Sequence, residues 1–400
     1  MSEQFTLIGL SDSAEPHLDS AAIEAIGAAR LFAGGTRHRE IVSALLPSGS
    51  RWITIAPPID GVLSQLAEAD EPVVVFASGD PFFYGFGATL QKRFPGASMR
   101  SFPSFHSLQM LVHRCLIPYQ SMRHASLTGR SWEELDCALI AGERLIGVLT
   151  DTRKTPSEVA RRMLDFGYSG YRMVVGEALG GSYERVTRCT LEDAAKMEFG
   201  RLNCLLLEAT EPPKRWFGIP ENLFDGLPGR PNMITKMPFR LAALAALELG
   251  RARTFWDVGF CTGSVAIEAR LQFPGLAVTA FEKRPECDAL LESNAWRFGA
   301  PGIAKVMGDF LTQDHRALSG SDGVDAVFIG GHGDQLDEVF DVVVRHLTPG
   351  GRVVMNAVRQ SSTEAFAASA VRHGMELAEP LRLTVGEHNP VSVMKAVKPG

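Results

Sequence analysis

The sequence has 400 residues, more than one hydrophobic core usually organises, so two or three domains are expected. With 45% hydrophobic and 22% charged residues it is not a disordered chain, and no apolar run approaches the roughly 18 residues of a transmembrane helix. A formal net charge of −6 argues against a nucleic-acid binder that tracks phosphates, but allows an anionic small substrate in a locally basic pocket.

The start, Met1-Ser2-Glu3-Gln4-Phe5, has no basic stretch leading into an apolar one, so no secretory signal is read. Short strands are expected at Phe5–Leu10, Arg30–Ala33 and Val73–Ala77, and helices at Ser20–Ile26, Arg37–Leu46 and Tyr84–Arg93. A second set follows at Leu145–Leu149, Ser157–Phe166, Arg172–Val175 and Leu202–Leu207, which suits two small α/β lobes within residues 1–210. Residues 211–232 hold five prolines and three glycines, a density that suits neither helix nor strand, and are read as a linker. Beyond it, strands at Thr254–Val258, Leu276–Phe281, Ala304–Met307, Val324–Ile329 and Arg352–Ala357 alternate with helices at Ser264–Leu271, Pro285–Phe298, Leu336–Leu347 and Thr363–His373. Two final strands are expected near Leu381–Val385 and Val391–Val397. This alternation predicts a doubly wound, mostly parallel sheet over residues 233–400. Six scattered cysteines without a CxxC pair fit a reduced, cytoplasmic enzyme, and no metal site is expected.

The loop Asp257-Val258-Gly259-Phe260-Cys261-Thr262-Gly263-Ser264 joins a strand to a helix start, where free N–H groups can meet a ligand. Glu282 ends the next strand and can take both ribose hydroxyls of a nucleoside; Asp309, after the third strand, can accept from an adenine amino group. The glycines do not follow the dinucleotide pattern G-x-G-x-x-G, because Cys261 interrupts it. The loop instead resembles the S-adenosylmethionine (SAM) loop of Rossmann-like methyltransferases.

Ile234-Thr235-Lys236, Arg240, the loop above, Asp325–Gly331, Pro349–Val354 and Asn356-Ala357-Val358 occur in that order. They resemble the C-terminal domain of the precorrin-6Y C5,15-methyltransferase (decarboxylating) family of the cobalamin (vitamin B12) pathway. In the first half, Ser78-Gly79-Asp80-Pro81, Pro103–Gln109, Leu149-Thr150-Asp151, Gly176–Gly180 and Glu184-Arg185 resemble the tetrapyrrole (corrin/porphyrin) methylases. Three departures stand out: Cys261 in place of a usual glycine, Met237-Pro238 at a usual charged helix start, and Gly9-Leu10-Ser11-Asp12-Ser13 in place of a Gly-x-Gly-x-Gly-type loop.

The resemblance implies an α/β protein: an N-terminal two-lobed tetrapyrrole methylase fold followed by a C-terminal Rossmann-like seven-stranded methyltransferase fold. It implies one SAM per domain. Methylation at C5 is expected from residues 1–210; methylation at C15, with loss of the ring C acetate carboxylate to give precorrin-8, is expected from residues 233–400. Cofactor contacts are expected at Gly79, Asp80, Pro81, Ser104 and Ser107, and at Thr235, Gly259, Phe260, Cys261, Thr262, Gly263, Glu282 and Asp309. Substrate contacts are expected at Arg37, Arg240, Gly330, Gly331, Asn356 and the His388-Asn389-Pro390 loop; no catalytic residue is named. His38 and His106 read more readily as hydrogen-bonded side chains than as acid/base groups. The partner is a tetrapyrrole, with no nucleic acid and no membrane, and a homo-oligomer is expected. The alternatives are a methyltransferase like those acting on tRNA adenine, and a SAM-binding protein without catalysis.

Overall fold

Val73-Val74-Val75-Phe76 is an unbroken apolar run because both of its faces are covered, as in the middle of a parallel sheet. In the computed structural model, which describes residues 4–13, 16–319, 322–386 and 389–400, this run belongs to the first of two units. The first unit comprises Met1–Arg130, Arg144–Arg161 and Tyr171–Glu211; the second comprises Ser131–Glu143, Arg162–Gly170 and Pro212–Gly400.

The first unit holds two sheets. Strands β1 (Phe5–Leu10), β2 (Leu31–Gly34), β3 (Arg51–Thr54), β4 (Val73–Ser78) and β5 (Met99–Phe102) form a parallel sheet in the order β3-β2-β4-β1-β5. Strands β6 (Arg123–Ser126), β7 (Leu145–Leu149), β8 (Tyr171–Glu177), β9 (Arg185–Thr190) and β10 (Asn203–Ala209) form a mixed sheet in the order β6-β7-β10-β8-β9. In the parallel sheet, two glycines set how closely the loops approach. A Cβ on Gly9 would lie 1.9 Å from the Gly79 carbonyl oxygen, and one on Gly79, at φ +63°, would lie 2.6 Å from His106 Cα.

The second unit is built on one sheet of β11 (Thr254–Val258), β12 (Ala277–Glu282), β13 (Ile303–Met307), β14 (Val324–Ile329), β15 (Leu347–Ala357), β16 (Glu376–Leu377), β17 (Leu381–Leu383) and β18 (Val391–Val397). Seven strands lie in the order β13-β12-β11-β14-β15-β18-β16, and β17 pairs additionally with β18. The strands from β11 to β15 pair in parallel, and β18 runs antiparallel to β15. The order therefore reverses direction at β11 and β14, the place where open α/β sheets form a crevice beyond their strand ends.

Two expectations change. Residues 211–232 are irregular apart from a single 3₁₀ turn, but they are not a solvated linker: Ile219, Phe224 and Leu227 are buried in the core of the second unit. Met237-Pro238 does not interrupt a helix. It opens the helix Met237–Leu247, with proline in the first turn, where a missing N–H leaves no hydrogen bond unmade. Among the described residues, no helix is long and apolar enough to cross a membrane.

Candidate functional sites

In the second unit the ends of β11, β12, β13 and β14 surround a cavity of about 750 Å³. The β11 loop turns through Gly259 at φ +81°, where a Cβ would meet the Gly331 nitrogen at 2.7 Å, and through Gly263 at φ +76°, which starts the helix Ser264–Gln272. Thr235, Gly259, Phe260, Cys261, Thr262, Glu282, Asp309, Gly330, Gly331, Asn356 and Asn389 all line this cavity. Gly263 does not; it shapes the loop from behind, packed against Leu291. His388 lies outside the described residues.

The charges on the wall are specific. Glu282 is buried, and its Oε2 accepts from the Cys261 N–H at 3.0 Å and from Arg284 Nη2 at 2.7 Å. Its Oε1 accepts from the Lys283 and Arg284 N–H groups at 2.9 and 3.1 Å and from Arg284 Nε at 2.9 Å. Burial alone would raise this carboxyl, but the Arg284 guanidinium and the backbone donors hold it below its ordinary value. Asp257 behaves in the opposite way. It has one donor, the Ala266 N–H at 3.0 Å, and burial, reinforced by the Glu282 charge, pushes its carboxyl up to about 7. Asp257 Oδ1, Thr262 Oγ1, His332 Nδ1 and Asn356 Oδ1 are buried on this wall without a hydrogen-bond partner. Such unpaired atoms are costly in a finished interior and suit a cavity completed by a ligand.

Arg240, expected at the substrate, lies elsewhere. It does not reach the cavity, and its side chain is fully buried. Its Nε donates to Glu268 Oε2 at 3.0 Å, its Nη1 to the Thr235 carbonyl at 2.8 Å and its Nη2 to the Ile219 carbonyl. Glu268 also accepts from the Gly218 and Ile219 N–H groups at 2.7 and 3.1 Å. An apolar helix face leaves a buried arginine no solvent, so it pairs within the protein. The cations that do line the cavity are Arg230, Lys236, Lys283 and Arg284, the last engaged by Glu282. Sequence reasoning passed over Arg230, Lys283 and His332. The nearest available signal was that Lys283 follows Glu282 and His332 follows Gly330-Gly331.

Cys261 has φ +52°, a left-handed conformation that favours the glycine usual here, and its Sγ donates to the Met233 carbonyl at 3.0 Å.

The first unit has its own cavity, of about 410 Å³, lined by Leu10, Ser11 and Asp12 after β1, by Ser78 and Gly79 after β4, and by Arg37, His38, His106 and Ser107. Asp80, Pro81 and Ser104 are not on its wall; they build the turn behind it. Asp80 Oδ1 accepts from the Phe82 N–H at 2.8 Å, the Pro81 carbonyl from Gly87 at 2.9 Å, and the Gly79 carbonyl from Ser104 at 3.3 Å. Arg37 faces the cavity, ion-paired with Asp12 in the altered β1 loop. His38 Nδ1 accepts from the Gly35 N–H at 3.2 Å, and its Nε2 lies 2.9 Å from Ser78 Oγ. His106 Nδ1 accepts from the Gln109 N–H at 3.3 Å, so it caps the following helix, and its ring stacks 3.7 Å from Phe83. Burial, with His124 adding to it, lowers His106 to about 4, which leaves it neutral at pH 7.

Among the described residues, no cluster of His, Cys, Asp and Glu is arranged to hold a metal ion. Residues 4–195 match the family model of tetrapyrrole (corrin/porphyrin) methylases, and residues 230–400 match that of the precorrin methyltransferase domain. The chain is 31% identical, over 100% of its length and 94% of the relative's, to precorrin-6Y C(5,15)-methyltransferase [decarboxylating] from a Sinorhizobium species. It is 37% identical to cobalt-precorrin-6B C(15)-methyltransferase (decarboxylating) of Salmonella typhi, across 42% of this chain and 83% of that one. It is 34% identical to cobalt-precorrin-7 C(5)-methyltransferase of Salmonella typhimurium, across 45% of this chain and 88% of that one.

Proposed function

The chain belongs to the precorrin-6Y C5,15-methyltransferase (decarboxylating) family, and from that premise we propose that it methylates precorrin-6Y at C5 and C15 and removes the ring C acetate carboxylate, giving precorrin-8. The carrying observation is the relative of that name aligned over the whole chain. Two separate cavities, one in each unit, support a division of labour: C5 methylation by residues 1–210, and C15 methylation with decarboxylation by residues 233–400. A cytoplasmic location and self-association belong to the same proposal.

Each cavity takes one SAM in this reading. When bound, SAM supplies a methyl group already activated by its sulfonium charge, so the chain's task is chiefly alignment. The second cavity fits such a cationic ligand, because Asp257 Oδ1 and Thr262 Oγ1 are buried there without partners. Asp257 faces the ligand's positive charge, Glu282 takes the ribose hydroxyls in place of Arg284, and Asp309 takes the adenine amino group. In the first cavity, Gly79 and Ser107 offer backbone and hydroxyl contacts. A polycarboxylate macrocycle meets Arg230, Lys236 and Lys283 at the second cavity, and Arg37 at the first once Asp12 releases it.

Mass spectrometry of precorrin-6Y incubated with the intact chain and SAM tests the reading. Two methyl gains with loss of one CO₂ are expected. A product with a single methyl, or one that keeps the carboxylate, contradicts it.

A further inference from the structure

The unpartnered atoms on the second cavity fall into two groups. Asp257 Oδ1 and Thr262 Oγ1 belong to the β11 loop, beside Glu282 at the end of β12. His332 Nδ1 and Asn356 Oδ1 belong to the ends of β14 and β15, across the point where the strand order reverses. The functional reading above assigns the first group to the cofactor and leaves the second, beside Gly330 and Gly331 on the same wall, to the substrate. His332 is thus a titratable group on the cavity wall that cofactor binding does not account for.

The proposed reaction leaves a proton to be moved. Methyl transfer to C15 forms a carbon–carbon bond while sulfur keeps the electron pair of the broken carbon–sulfur bond, and C15 then sheds its hydrogen as a proton. Decarboxylation breaks the bond between the acetate methylene and its carboxylate; the electron pair passes into the macrocycle, CO₂ leaves, and the methylene takes up one proton to become a methyl. One proton is released and one is consumed, so no outside acid, oxidant or reductant is needed.

Resting on the functional reading above, we propose that His332 carries that proton, accepting it from C15 and delivering it to the ring C methylene. Burial holds His332 below its ordinary value, with Asp334 opposing, so at neutral pH the ring is an available base whose conjugate acid readily gives its proton back. The Lys283 ammonium lies beside the same loop, since a Cβ on the neighbouring Gly333 would meet Lys283 Nζ at 3.0 Å. Asp257, the other wall group poised near neutrality, faces the cationic ligand, which keeps it a carboxylate.

The test uses the full chain with His332→Ala and the size-conserving His332→Gln. General acid–base catalysis of this kind is worth about 10²–10⁴-fold. CO₂ release should therefore fall by about 100-fold or more in both variants, with SAM affinity by calorimetry within about twofold of wild type and C5 methylation unchanged. Added imidazole should restore CO₂ release in His332→Ala. Unaltered CO₂ release in the variants overturns the proposal, as does a loss accompanied by lost SAM affinity and no imidazole rescue. A wild-type chain that releases no CO₂ overturns the functional reading itself, which separates the two failures.

Discussion

At the scale of single residues, the second site places two carboxylates a strand apart under opposite influences. Asp257 is nearly enclosed and lacks a cation, whereas Glu282 is held by Arg284. Because the folded-state value of Asp257 is raised to about 7, its contribution favours the folded state at low pH and is lost as pH rises from about 4 to 7. Asp257→Asn should therefore remove a fall of a few kcal/mol in the stability of the ligand-free chain over that window, measurable by urea unfolding at a series of pH values. A variant with the same pH slope as wild type would show that Asp257 is not the group responsible. Glu282→Ala should weaken SAM binding at the second site by roughly tenfold or more, from the loss of a charged hydrogen bond worth about 1.5–3 kcal/mol, and leave the first site unchanged. Two-site calorimetry reads this directly. Much of this site was legible beforehand, since strand ends, a tight glycine turn and acidic residues at regular intervals are local patterns. Arg240 was not: a guanidinium reads alike in sequence whether it faces a substrate or a buried glutamate 28 positions away.

At the scale of elements, the Arg240–Glu268 pair joins the helix Met237–Leu247 to the helix Ser264–Gln272, and through backbone groups it also fixes Gly218, Ile219 and Thr235. Removing one partner of a buried pair leaves an uncompensated charge. Arg240→Ala should accordingly cost about 3–5 kcal/mol of stability, and Arg240→Ala/Glu268→Ala less than the sum of the two single losses. Chemical denaturation of the set checks this, and additive losses would mean that the two side chains act independently. The elements of the second unit were readable because continuous apolar strand runs alternate with helix-length segments bounded by glycine and proline. Strands β3, β5 and β9 were not, since they are short and largely exposed, with burial patterns that carry little alternation. The helix Met237–Leu247 opens on Met237-Pro238, a departure from the charged start usual there, and the first turn accommodates the proline.

At the scale of the whole molecule, the two units interleave in sequence; the last change of unit falls between Glu211 and Pro212, and residues of the Pro/Gly-rich segment that follows are part of the second core. A fragment of residues 212–400 should therefore be more stable and soluble than one of residues 233–400, which lacks Ile219, Phe224 and Leu227 and the carbonyl that Arg240 engages. Comparative thermal unfolding of the two fragments tests this, and equal melting temperatures would show the segment to be dispensable. The strand order has a consequence for how the protein is made. β18, the latest strand in sequence, inserts between β15 and β16. During synthesis, at roughly 5–20 residues per second, β15 waits a few seconds with an open hydrogen-bonding edge until β18 emerges. The second unit's sheet is thus sealed late and from the inside, and a nascent chain stalled before β18 presents the open edge of β15 to any strand that meets it.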